Sequence, residues 1–338
     1  AGAATFALLA TTVVAEFLTP ALMTRVSSRM LAAGGMLIIG ATCGLYFIPN
    51  LDVRTILLIT AMRGVGFGVA GVVCMSLSAH HSTPEGRGAA MGIYGIAFTL
   101  PLVVFPPLGL FLLGGGYGGV AAGIAGAAGI AGAVAALWLI RDPGTSAPLD
   151  LRKWRPGRSM TTTLLTLIIV NMSFGAVVSF IPVIYPVGGL VSAATFLLVS
   201  GGARGLGRLA SGVMADRVSP PTVMLIGTVA SALGLAALPV GHGSILVLVG
   251  AAVYGAGAGA VQTTGFLSML ITGKSTDVRV VTGAWNTAVD IGTSSGAALL
   301  GLVAAGYGYP AVLWVLPVLA ALAIPTTLIS MREAPATS

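Results

Sequence analysis

The sequence predicts an all-α integral membrane protein built from two related helical halves. Three observations predict it: a near-absence of charge, a train of long apolar segments, and a repeat that crosses a single polar linker. Of 338 residues, 56% are hydrophobic and only 7% charged. A soluble domain needs about 25% charged residues to wet its surface, so lipid must be the solvent here. The 49 glycines fit the same reading, because glycine lets membrane helices approach one another closely.

A bilayer core takes about 20 apolar residues per helix. On that scale spans fall near 3–23, 31–49, 54–78, 88–112, 118–140, 161–185, 188–213, 221–240, 244–271, 280–304 and 309–330. The formal net charge of +7 does not point to nucleic acid, since the basic residues punctuate apolar spans instead of clustering on one face. Arg25, Arg29, Arg87, Arg217, Lys274, Arg279 and Arg332 mark one side, whereas the other holds little beyond Asp52, Arg54 and His242. Basic loops stay cytoplasmic, which orients the C-terminus inside and the chain as a multi-pass protein of the cell (plasma or inner) membrane. Cys43 and Cys74 lie inside apolar runs without metal-ligand spacing. His80, His81 and Glu85 sit at a turn too exposed to suggest a metal. No cofactor is expected.

The stretch 141–160 is the one long polar segment, rich in Pro, Gly and Arg/Lys. It reads as a cytoplasmic basic linker between an N-terminal helical half, 1–140, and a C-terminal six-helix half, 161–338. Arg63-Gly64-Val65-Gly66-Phe67-Gly68 resembles Tyr254-Gly255-Ala256-Gly257-Ala258-Gly259 across it. The first hexad begins 38 residues after Arg25 (63 − 25) and the second 37 after Arg217 (254 − 217). Tyr117-Gly118 and Tyr307-Gly308 continue the register. Such spacing is the mark of parallel repeats related by an axis along the membrane normal. The second half runs 56 residues from 161 to Arg217, but only 24 separate residue 1 from Arg25. That difference is one helix and its loop, so eleven spans of an expected twelve are read here, with the first helix missing.

These motifs resemble the major facilitator superfamily over essentially the whole chain. Gly212-Val213-Met214-Ala215-Asp216-Arg217-Val218 is similar to that family's G-x-x-x-D-R-x-G loop, with Ser219 in place of the last Gly. In the first half the turn keeps Arg25 and Arg29 but has Pro20 for the Gly and Thr24 for the Asp. The resemblance implies a conformational lock made by Arg25, Arg29, Asp216 and Arg217, a charge cluster at a helix end that holds one state and releases in the other. Arg63 with its glycine face resembles the family's fourth-helix motif. Gly92, Pro106 and Gly109 match part of the antiporter signature, with Pro101, Phe105 and Leu110 replacing its other glycines. The segment from Ala284-Trp285-Asn286 through Asp290, Gly292 and Gly296 resembles the arabinose-efflux-permease-like and drug:proton antiporter subgroups.

Charges inside the spans are functional candidates because lipid makes them costly. Asp290 lies eleven residues beyond Arg279, about 16 Å deep, where a proton role and a structural hydrogen bond weigh equally. Arg204 and Arg208, four apart, share a helix face. Glu16, one turn from Pro20, is assigned an interfacial or loop-locking role in preference to proton transport. Arg63, Arg204, Arg208, Asp290, Asn286 and Asn171 form the expected substrate and proton pathway. Three arginines against one aspartate favour an anionic substrate.

The reading that results is a secondary active transporter. It exports a small organic molecule in exchange for protons by rocker-switch alternating access, as a monomer in the bilayer. An uptake permease of the same fold is the alternative. An intramembrane enzyme would need a paired nucleophile and base or an H-E-x-x-H, and neither appears. A receptor without transport would not need mid-membrane charges.

Overall fold

The computed structural model describes residues 2–46, 48, 50–141, 156–185, 191–241, 243–272 and 277–333. Most of the expected linker, together with His242 and Lys274, lies outside the described residues. All regular structure among them is helical: α1 (Gly2–Leu22), α2 (Ser28–Leu45), α3 (Val53–His80), α4 (Arg87–Gly114), α5 (Gly118–Leu139), α6 (Arg158–Ile184), α7 (Ala193–Ala215), α8 (Pro220–Gly241), α9 (Ile245–Thr272), α10 (Val278–Tyr307), α11 (Tyr309–Ala321) and α12 (Ala323–Glu333). Nine segments among the described residues are long and apolar enough to cross a membrane, with α11 and α12 counted together. Beyond these nine stand α1, a shorter apolar helix over Phe6–Leu22, and α7. The 23 residues of α7 extend about 34 Å, but Arg204 and Arg208 lower its hydropathy. The last span breaks at Leu322 because the ring of Pro325 clashes with the carbonyl four residues back, at Ala321.

Lipid as the solvent explains the surface. Trp138 (84%), Leu139 (78%) and Phe6 (74%) stand exposed, an arrangement that water would penalise and hydrocarbon favours.

Packing divides the chain into two compact units that interleave along the sequence: 1–80, 106–154 and 277–290 in one, 81–105, 155–276 and 291–338 in the other. In the first, α1 and α2 pack on α3 around a core of Ala15, Met23, Ala32, Ala33, Val69, Val72 and Val73. In the second, α7 and α8 pack on α9 in the same manner. The glycine hexads explain both contacts. Gly64 and Gly68 face α1, where a Cβ would strike the backbone of Leu8 and Thr12, while Gly66 faces α2, its Cβ position 2.7 Å from the Gly35 carbonyl oxygen. Gly255 and Gly259 likewise abut α7 at Ser200 and Arg204, and Gly257 meets α8, 2.7 Å from Ser231 N. The sequence repeat is therefore a repeat of contacts, with outer glycines facing one helix and the middle glycine the next.

Hydroxyls tie the second unit further. Thr163 bonds Ser330 (2.7 Å), Thr166 bonds Thr326 (2.8 Å), and Thr228 bonds Thr327 (3.3 Å), which fastens α12 to α6 and α8. Without a hydrophobic drive between helices in lipid, such bonds and close small-residue packing hold the bundle.

Candidate functional site

The second unit holds a buried polar cluster on α6, α7 and α9. Arg204 (9% exposed) donates from Nη2 to Asn171 Oδ1 at 3.3 Å, and Gln262 Nε2 donates to the same oxygen at 2.7 Å. Asn171 Nδ2 is committed to the Leu167 carbonyl at 2.7 Å, which fixes its oxygen towards the two donors. The guanidinium of Arg204 lies over the Phe174 ring, 3.7 Å from its centroid. The buried Tyr254 hydroxyl, electrostatically in range of Arg204, has no hydrogen-bond partner among the described residues. No carboxylate of the described residues forms an ion pair with Arg204. A guanidinium carries five donors, so this one has capacity for an anion, and burial strengthens whatever it binds.

Arg208, one turn along the same face, reaches the N-terminal part of α4. Its Nη1 approaches Gly95 O and Thr99 Oγ1, each at 3.4 Å, and its guanidinium lies 5.8 Å from the Phe98 ring. Gly95 must be small, because a Cβ there would lie 2.7 Å from Arg208 Nε. Sequence reasoning placed Arg204, Arg208 and Asn171 on the pathway, and the structure joins Arg204 to Asn171 directly. It missed Gln262, Phe174 and Tyr254. A glutamine inside an apolar span was the available signal for Gln262.

In the first unit, α1, α3 and α10 converge. Glu16, assigned to the interface from its sequence position, is only 2% exposed and lies within electrostatic reach of Asp290. Proximity to Pro20 misled the reading, since α10 covers α1 at that level: a Cβ on Gly283 would lie 2.9 Å from Pro20 Cγ and 3.0 Å from Glu16 O. Asn286 donates to Thr282 O (2.9 Å) and points its amide at Met75 Sδ (3.6 Å). Arg63 is half-buried, its guanidinium 5.7 Å from the centre of the Tyr46 ring, whose hydroxyl bonds Thr60 at 2.9 Å.

Helix ends supply the third feature. The Asp216 carboxylate, at the C-cap of α7, accepts from Gly88 N (2.8 Å) and Ala89 N (3.0 Å) at the start of α4. These are orphan donors of a helix N-terminus, where an anion is also favoured by the dipole. Gly88 meets the Gly212 backbone, and Gly92 would place a Cβ 2.9 Å from Arg208 O, so small residues permit the approach. At α10 the corresponding donors are served differently. Its own Asp277 accepts from Arg279 N and Nε, both at 2.9 Å, and from Nη2 at 2.5 Å. Half-burial pushes the Asp277 carboxyl up, but the Arg279 hydrogen bonds and charge outweigh this and hold it below the usual carboxylate range. Thr24 in the first half is thus matched by a helix that caps itself. Arg25, Arg29 and Arg217 are exposed, and a Cβ on Gly109 would meet nothing within 4 Å. The Pro106 side chain lies outside the described residues.

Asp216→Ala is expected to loosen the α4–α7 contact. Spin labels at positions 85 and 218 should report a longer, broader distance distribution than in the unsubstituted protein. An unchanged distribution would deny the carboxylate its holding role.

Nine helical segments among the described residues long and apolar enough to cross a membrane, doubled glycine contacts and buried charges define a polytopic helical membrane protein. A family model described as Major Facilitator Superfamily matches residues 1–270, and the chain belongs to that family. The human organic anion transporter MFSD10 (TETRAN) is similar in structure, with a TM-score of 0.80, 15% identity, and coverage of 96% of this chain and 83% of that one. FucP, a Major Facilitator Superfamily transporter in the outward conformation, gives 0.77 at 14% identity, covering 97% and 89%. A variant of the E. coli fucose:proton symporter FucP gives 0.73 at 15%, covering 96% and 90%. No curated protein matches the chain in sequence.

Proposed function

We propose that this protein is a proton-coupled exporter of a small organic anion, working by alternating access in the plasma membrane. The observation that carries the reading is Arg204: a buried guanidinium fixed by Asn171 and Phe174, with no carboxylate ion-paired to it among the described residues. A cation in that position repels lipophilic cations and binds a carboxylate through paired N–H donors. Phe174 and Tyr254 supply an aromatic wall and a hydroxyl beside it. Export by exchange is supported by the partial antiporter signature at Gly92, Pro106 and Gly109 and by the resemblance of α10 to drug:proton antiporters. The Asp216 contact with α4 serves as the lock that opens during the cycle. The organic anions named for one similar structure accord with this substrate class.

Ligand-induced thermal stabilisation of the purified protein tests the substrate class. Aromatic and aliphatic carboxylates should raise the melting temperature, whereas neutral sugars and quaternary ammonium compounds should not. Stabilisation by the cations and none by the carboxylates would overturn the assignment.

A further inference from the structure

The polar cluster on α6, α7 and α9 turns on a single oxygen. Asn171 Oδ1 accepts from Gln262 Nε2 at 2.7 Å and from Arg204 Nη2 at 3.3 Å. Asn171 has no room to swing away and ease that sharing. Its own amide donates to Leu167 O at 2.7 Å, and α10 crowds it from behind, since a Cβ on Gly292 would lie 3.0 Å from Asn171 Cβ. All three side chains are buried, so bulk water does not replace a bond that one of them loses.

The two bonds are unequal. Gln262 sits at an ordinary hydrogen-bond distance, whereas Arg204 stands just beyond the usual range for N–H···O. A guanidinium grips a carboxylate through two adjacent N–H groups, either Nη1 with Nη2 or Nε with Nη2. Both forks include the nitrogen that Asn171 holds. A bound carboxylate therefore competes with Asn171 for Nη2, and a charged acceptor prevails over a neutral one, the more so away from water. When Arg204 turns to the anion, Asn171 Oδ1 keeps Gln262 and is not left bare.

We propose that Gln262 is a positioning residue of the anion site. By holding the Asn171 oxygen it keeps the tie on Arg204 long and weak, and it lets that guanidinium pass to an incoming carboxylate with little penalty. The proposal rests on the anion-binding reading of Arg204 above. Without Gln262, Arg204 is the remaining donor to Asn171 Oδ1 among the described residues. The tie then tightens in the empty site, and breaking it leaves a buried carbonyl oxygen unpaired, which opposes binding. Without Asn171 there is no tie to break, and Gln262 has nothing to act on. Phe174 keeps the guanidinium stacked in either case. The two losses thus shift affinity in opposite directions, which a purely structural role for the cluster does not.

Calorimetric titration of the full chain in lipid nanodiscs, with benzoate and hexanoate as probes, tests this. Gln262→Met should weaken binding of either probe about two- to tenfold. Asn171→Leu should bind more tightly than the unsubstituted protein, and adding Gln262→Met to it should change nothing further. Where Asn171→Leu alone folds poorly, the double variant, in which Gln262 is no longer left without Asn171, takes its place and should bind more tightly than Gln262→Met. Unchanged affinity in Gln262→Met, or a double variant that binds no better than Gln262→Met, would overturn the proposal and leave the anion reading standing. An unsubstituted protein that binds neither probe would overturn both.

Discussion

Arg204→Ala should strongly weaken recognition of the transported anion while leaving the protein folded in the membrane. A hydrogen bond to a charged group is worth about 1.5–3 kcal/mol, so loss of this one guanidinium should weaken binding about ten- to a hundredfold. Asn171 and Gln262 keep their mutual bond without it, which is why the fold should survive. Arg204→Lys keeps the charge but loses the planar fork and should fall between the two. Titration of the purified variants with the best-binding carboxylate checks this series. Equal affinity in all three proteins would remove Arg204 from the site.

The second large effect concerns stability. Gly175 on α6 sits so close to α10 that an added Cβ would overlap the Thr293 carbonyl oxygen. Gly292 and Gly296, four apart on α10, return the contact at Ile168 and Met172 of α6. This is a small-residue crossing of the kind membrane helices use to pack closely. Gly175→Ala must therefore push backbone from backbone, a clash that no rotamer change relieves. Overpacking costs about 1–3 kcal/mol, and the melting temperature in detergent should drop clearly below that of the unsubstituted protein. Gly202→Ala, where an added Cβ meets nothing within 4 Å, is the control and should melt normally.

Much of this architecture was legible in the residues because membrane constraints are severe. Charge depletion fixed the solvent, and the glycine hexads announced a repeat that the helix contacts reproduce. Arg204 and Asn171 could be chosen because polar groups deep in apolar spans are costly. Tertiary context was harder to read. Glu16 looked interfacial from its distance to Pro20, yet α10 buries it, and nothing local to α1 signals that cover. Gln262 and Tyr254 lie two turns apart on α9, and their convergence on Asn171 and Arg204 depends on how α6, α7 and α9 pack. Thr24 stands where the motif has Asp, and only the structure shows that the start of α10 is capped by its own Asp277.

Coupled flux in proteoliposomes tests the central claim most directly. Vesicles containing the protein are loaded at acid pH, diluted into alkaline buffer, and offered a radiolabelled panel of organic anions, neutral sugars and lipophilic cations. Proton-for-anion exchange predicts that an organic anion accumulates while the lumen becomes more alkaline, and that collapsing the gradient stops both. Accumulation only when the outside is the acid side would contradict exchange, and accumulation of the cations instead of the anions would contradict the substrate site.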